Sequence, residues 1–184
     1  METELLNIES VSSEQKAAAL RKAGEIIREG GLVAFPTETV YGLGADALNA
    51  EAAAKIYAAK GRPSDNPLIV HIHDISQVYE IAEEVPDEAK AVMEKFWPGP
   101  LTIILNKKSC VPDGTTGGLH TVAIRMPSHP IARDFIRESG RMIAAPSANT
   151  SGRPSPTLAS HVYEDMQGRI PLILDGGAVG IGIE

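Results

Sequence analysis

Lys60 and Arg62 stand two residues apart in the stretch Lys60-Gly61-Arg62-Pro63-Ser64-Asp65-Asn66-Pro67. Lys60 closes a helical segment, where a cation commonly does no more than complement the helix dipole. Arg62 carries a sharper signal. Held between Gly61 and Pro63 ahead of a strand, its guanidinium can grip phosphate or carboxylate through two parallel hydrogen bonds. Two cations this close suit a polyphosphate better than they suit each other. As spacing alone, the signal is weak.

A denser stretch is Pro36-Thr37-Glu38-Thr39-Val40-Tyr41-Gly42-Leu43-Gly44-Ala45-Asp46. It gathers two hydroxyls, a carboxylate and a phenol, and its glycines let backbone approach a ligand. The ordinary explanation is a strand-exit turn with incidental polarity. Gly42, Gly44 and Ala47 also fit the letters of a dinucleotide fingerprint. That reading fails because Pro36 to Tyr41 separate the strand from the first glycine, and the next helix begins near Ala50. No Gly-x-x-x-x-Gly-Lys-Ser/Thr occurs, so a nucleotide here would not sit in a P-loop.

The third stretch runs Ala145-Pro146-Ser147-Ala148-Asn149-Thr150-Ser151-Gly152-Arg153-Pro154-Ser155-Pro156-Thr157. Ser147 and Asn149, with the hydroxyls after them, can hold phosphate oxygens or a base edge without adding charge. A Ser/Asn/Pro-rich turn explains the composition equally well. A nucleophilic serine does not, since no Gly-x-Ser-x-Gly surrounds Ser147. Of His71 and His73, one is expected near the cleft and the other in a structural role, rather than both on one metal. Trp97 reads as a core aromatic at a helix end.

The rest of the chain must position these segments. Its 184 residues suit one domain, with 43% hydrophobic and 22% charged residues, the ordinary globular mix. Cys110 is the only cysteine, so neither an internal disulfide nor a cysteine zinc site is available. No apolar run approaches the ~18 residues of a membrane span, and the acidic start does not resemble a secretory leader. A cytoplasmic protein is expected. The formal charge of −7 argues against gripping nucleic acid over the whole surface. A local basic cavity stays possible.

Hydrophobic periodicity predicts helices over 12–30, 50–59, 74–84, 86–96, 130–138 and 158–166. Ser12 with Gln15 forms the capping box of the first, Asn49 caps the second, and Pro86 is a first-turn proline. Strands are expected at 32–35, 67–72, 101–105, 121–126, 142–145 and 170–174. The alternation implies an α/β fold on a twisted mixed, largely parallel sheet flanked by helices. Thr37, Glu38, His71, Arg125, Ser147, Asn149 and Asp175 fall at strand ends. If these are carboxyl ends on one side of the sheet, they share a cleft. Loops are polar anyway, which suffices for any single position; the set is harder to dismiss.

The segments together resemble the YrdC-like family of threonylcarbamoyl-AMP synthases. The resemblance rests on five blocks in order: Phe35 to Gly44, Lys60 to His71, Trp97-Pro-Gly-Pro-Leu-Thr102, Val122-Ala-Ile-Arg-Met-Pro127 and Ala145-Pro-Ser-Ala-Asn149. It runs from about Ser13 to the last residue. The family's Lys-x-Arg and Ser-x-Asn pairs fall on Lys60/Arg62 and Ser147/Asn149, which the resemblance implies are catalytic. It also implies a large concave cavity in which L-threonine, bicarbonate or CO₂, and ATP with Mg²⁺ give threonylcarbamoyl-AMP and pyrophosphate. The metal would be held mainly by the ATP phosphates. A partner transferase complex would then modify the tRNA adenosine beside the anticodon, with direct tRNA contact left open.

By the same resemblance, Thr39, His71, Arg125 and Ser147 line the threonine side, and Thr37 and Tyr41 are placed with them. Lys60, Arg62, Asn66, Thr121, Asn149 and Ser155 line the nucleotide side. The family pattern continues beyond Glu184 with a Ser-Thr strand, and longer members carry a second, C-terminal domain. A single catalytic domain over 1–184 lacking both is expected. Two alternatives stand: a paralogue of this fold acting on another carbamoyl or adenylation substrate, and an RNA-binding module.

Overall fold

The computed structural model describes residues 1–61 and 66–180. Local signals account for most helices. Ser12 accepts from the Gln15 amide and Gln15 returns a bond to the Ser12 amide, starting α1 (Ser13–Arg28). Asn49 accepts from the amides of Glu51 and Ala52 to start α2 (Ala50–Lys60), which Gly61 ends in the left-handed conformation. Asp74 initiates only a 3₁₀ turn and the four-residue α3 (Val78–Ile81). The single helix expected over 74–84 is therefore two short pieces. Pro86 is the N-cap of α4 (Asp87–Phe96), one position earlier than expected. A short α5 (Asp113–Thr116) was not anticipated; α6 (Pro130–Ser139) and α7 (Ala159–Met166) were.

Eight strands form one sheet. The six expected ones are β2 (Val33–Pro36), β4 (Ile69–His71), β5 (Thr102–Asn106), β6 (Thr121–Arg125), β7 (Ile143–Ala145) and β8 (Leu172–Asp175). Added to them are β1 (Glu4–Asn7), a four-residue edge strand, and β3 (Tyr41–Asp46). The order is β1-β8-β2-β3-β7-β4-β6-β5. Pairs β1/β8, β2/β8 and β4/β6 are parallel; β2/β3, β3/β7, β4/β7 and β5/β6 are antiparallel. The sheet is thus mixed, and the four-residue link from β2 to β3 is too short for a parallel crossover.

β3 lies in the stretch whose glycines suggested a turn. A Cβ on Gly44 would sit 2.7 Å from Ile143 Cγ2 and 2.9 Å from Phe35 Cε1. This glycine makes room for a packed aromatic ring rather than for a ligand.

One face of the sheet buries Ala34, Leu43, Val70, Ile124 and Ile173 together with α2 residues such as Ile56. The other buries Val33, Phe35, Ile143, Ala145 and Leu172 under α1 and α6. On that second face α1 and α6 pack over β2, β3 and β8. Among the described residues, the same face is only partly covered across β4, β6 and β5. Ile69, Thr121 and Ala123 are half-buried there, and Ile104 is 66% exposed. A partly exposed half-face of this kind can form the floor of a cleft.

Candidate active site

The β2–β3 link overhangs that floor. Thr37 ties its own turn: its Oγ donates to Val40 O at 2.7 Å and lies 3.1 Å from Thr39 Oγ. Both threonines are 2% exposed. Arg125 ends β6 on that second face, opposite His71 in register, and is 3% exposed. Its Nε donates to Gly99 O at 3.3 Å and its Nη1 to Thr39 Oγ at 3.3 Å, while Nη2 pairs with the Glu38 carboxylate. The second Glu38 oxygen accepts from Ser128 N at 2.9 Å and Ser128 Oγ at 2.7 Å. Burial raises the Glu38 pKa, but the Ser128 bonds and Arg125 outweigh it and hold the group below its usual value.

His71 is buried with its Nδ1 2.9 Å from Ile69 O and its ring edge-on to Phe35. Burial first, then the Arg125 charge, push its pKa down to about 4. The ring is therefore neutral at pH 7 and suits hydrogen bonding rather than proton transfer.

A second group forms where α2 meets the segment after β7. Lys60, 2% exposed, donates to Ser147 O at 2.5 Å and Asn149 O at 2.6 Å, with Asn149 Oδ1 at 3.4 Å. Ser151 N donates back to Lys60 O. Ser147 Oγ donates to Asn149 Oδ1 at 2.5 Å. Asn149 Nδ2 donates to the carbonyls of Thr150 and Arg153 at 3.0 and 2.8 Å. Segments 85 or more residues apart in the chain thus converge at one node.

Main-chain bonds join the two groups. Tyr41 N donates to Pro156 O, Leu43 N to Pro146 O, and Ala148 N to Tyr41 O. β3 therefore carries the hairpin with Thr37 and Thr39 at one end and braces the Ser147–Pro156 loop along its length.

The strand directions correct one sequence argument. β2, β7 and β8 run one way, whereas β4 and β6 run the other. His71 and Arg125 are consequently not at the same ends as Thr37 and Ser147. They reach the group because they lie on the second face and the arginine side chain spans to the hairpin. Tyr41 stands apart from the threonine set. Its side chain is in the opposite core, and its hydroxyl donates to Gly177 O at 2.7 Å and accepts from Gly176 N at 3.1 Å.

Thr121 starts β6 opposite Asn106, at the β5 edge of the floor, and among the described residues no hydrogen bond links it to Ser147 or Asn149. Ser155 is half-buried in a small cleft of about 250 Å³ with Arg153, Pro156 and His161. Asn66 O accepts from the Tyr57 hydroxyl. Asp175 accepts from Gly177 N at 3.0 Å, turning the chain after β8. Trp97 is buried and donates from Nε1 to Leu101 O. Arg62 and residues 181–184, on which the expectations about the chain end depend, lie outside the described residues.

Sequence reasoning missed Ser128 and Asp165. The latter, on α7, accepts from Thr150 N at 3.0 Å. Neither belongs to a motif; both are found only through their partners. Among the described residues, no three His, Cys, Asp or Glu side chains converge as a metal cage.

A model of the Sua5/YciO/YrdC family, described as "Telomere recombination", matches residues 25–184. A threonylcarbamoyl-AMP synthase of Bacillus subtilis is 60% identical over 169 residues, covering 90% of this chain and 48% of the relative. One from Pyrococcus abyssi is 55% identical over 182 residues, covering 99% and 53%. The crystal structure of P. abyssi Sua5 complexed with L-threonine superposes with a TM-score of 0.93 at 54% identity, covering 98% of this chain and 52% of that one. The chain spans about half the length of the curated relatives it matches.

Proposed function

This chain belongs to the Sua5/YciO/YrdC family, and from that premise we propose that it makes L-threonylcarbamoyl-AMP from L-threonine, bicarbonate or CO₂, and ATP, releasing pyrophosphate. The observation that carries the proposal is the pairing of two polar groups on one strand. A buried arginine with hydroxyls lies at one end of β3, and the loop carrying a lysine-held Ser147/Asn149 node is bonded along the strand. Arg125 with Thr39 suits an amino-acid carboxylate and hydroxyl. The Ser147–Ser155 loop, with Lys60 and Arg62, suits the nucleotide.

The chemistry asks little of an acid or base. The neutral threonine amine adds to CO₂ and loses a proton, giving a carbamate anion. A carbamate oxygen then attacks the α-phosphorus: one P–O bond forms, the α–β P–O bond breaks, and pyrophosphate leaves. A neutral His71 and a paired Glu38 agree with this, since neither is poised as a strong base. What the chain must supply is alignment of two anions and fixed donors for the charge that develops. Mg²⁺ would enter with the triphosphate as part of the substrate and neutralise phosphate charge.

In this reading the chain acts as one catalytic domain, and its product goes to a transferase complex that modifies tRNA beside the anticodon. Among the described residues no helix is long and apolar enough to cross a membrane, and we place the reaction in the cytoplasm. The deciding experiment measures pyrophosphate release from ATP by this chain without RNA. Release should require both threonine and bicarbonate, with threonylcarbamoyl-AMP formed in equal amount. Equal turnover with serine or glycine would favour the paralogue, and an absolute requirement for RNA would overturn the proposal.

A further inference from the structure

We propose that Asp165 is a positioning residue for the nucleotide side, setting the orientation of the Asn149 amide through the loop between them. The inference rests on the functional reading above and deepens it. Asp165 projects from α7, far in sequence from any recognisable motif, and its side chain is only 9% exposed. Its Oδ2 accepts from Thr150 N at 3.0 Å and Thr150 Oγ at 3.3 Å. Its Oδ1 faces Arg153 Nη2 at 3.5 Å.

Thr150 and Arg153, the residues it grips, are also the two whose carbonyls receive the Asn149 Nδ2 hydrogens. That fixes which way the amide is turned. With Nδ2 spent on the loop, Oδ1 must face Ser147 Oγ at 2.5 Å and Lys60 Nζ at 3.4 Å. Asp165 therefore lies at the start of a continuous relay, through Thr150 and Arg153 to Asn149 and on to Ser147. Without its carboxylate the loop carbonyls can drift, the Asn149 amide can rotate, and the loop lining the nucleotide side loses its fixed shape. Among the described residues nothing in the relay touches Thr39, Arg125 or Glu38, and Ser147, which the resemblance sets beside threonine, is reached only at its far end, so the threonine side should respond far less than the nucleotide side.

The test is calorimetric titration of the 184-residue chain with ATP and, separately, with threonine. Asp165→Ala should weaken ATP binding by about tenfold or more, as misaligned binding groups do, while threonine affinity stays within about twofold of wild type, a difference too small to signal a lost contact. Asp165→Asn keeps an acceptor for the Thr150 amide but loses the ionic hold on Arg153. It should recover most of the loss, ending about threefold weaker than wild type, the size of one modest hydrogen bond. A purely structural role would lower the affinity for both ligands together and would not be rescued by asparagine; that outcome, or unchanged ATP affinity in both variants, overturns the inference. Should Asp165→Ala fail to fold, the asparagine variant decides by the same split. Wild-type chain that binds ATP but releases no pyrophosphate would sink the functional reading alone, and the Asp165 comparison would still be decided by affinity.

Discussion

Arg125 and Lys60 are both nearly inaccessible cations, yet their surroundings differ in kind. Arg125 is held largely by side chains, Glu38 and Thr39, with one carbonyl from Gly99. Lys60 within the described residues is held by the main chain, through Ser147 O and Asn149 O, with the Asn149 amide oxygen beyond. Side-chain partners can turn aside for an incoming ligand. Backbone carbonyls cannot move without moving the loop. The first arrangement is built to exchange partners, and the second to hold a shape.

The contrast is broken or sharpened by substitution. Lys60→Met keeps the length and removes the ammonium, leaving two carbonyls without their donor. Pyrophosphate release should fall about a hundredfold or more, the scale of a lost charge-stabilising group, and Arg62→Ala should match it. Wild-type rates in both would remove the pair from the mechanism. Arg125→Lys keeps the charge but loses the planar fork. Threonine affinity should drop about tenfold, the loss expected of a charge-assisted bond, with ATP affinity unchanged. Equal losses for both ligands would show that the two groups are not separable.

The smallest effect is on stability. His71 has a folded pKa near 4 against an ordinary 6.5, so between those values the unfolded chain binds more protons. Its contribution is complete above pH 6.5 and is lost as pH falls toward 4. Between pH 7 and 5.5 the change should be about 1 kcal/mol. Glu38, also lowered, acts in the same direction at more acidic pH. Thermal unfolding across this range checks it, and a His71→Gln variant should show a flatter slope. An identical slope would acquit His71.

Helix starts were legible because a cap is a local agreement between a side chain and nearby amides, as at Ser12 and Asn49. The chemistry-bearing segments were legible for a similar reason: their residue types are unusual within a few positions. β3 was not, since its glycines look like a turn until the Phe35 ring is known to lie against them. The partly covered sheet face was also hidden, because it depends on where α1 and α6 stop. Strand direction misled for the same cause: His71 and Arg125 read as strand ends, but sequence does not say which way a strand runs. Tyr41 had the right type in the right place, and only the fold turns its hydroxyl toward Gly176 and Gly177. Asp165 acts through residues a dozen or more positions away, beyond any local pattern.

The seam between β3 and the loop ending at Pro156 is made of peptide groups. A point mutation swaps a side chain and leaves those atoms where they were, provided no proline removes an amide. Divergence can therefore relabel the lining of the hollow, changing which small molecules it admits, while the spacing between its halves passes unaltered to descendants.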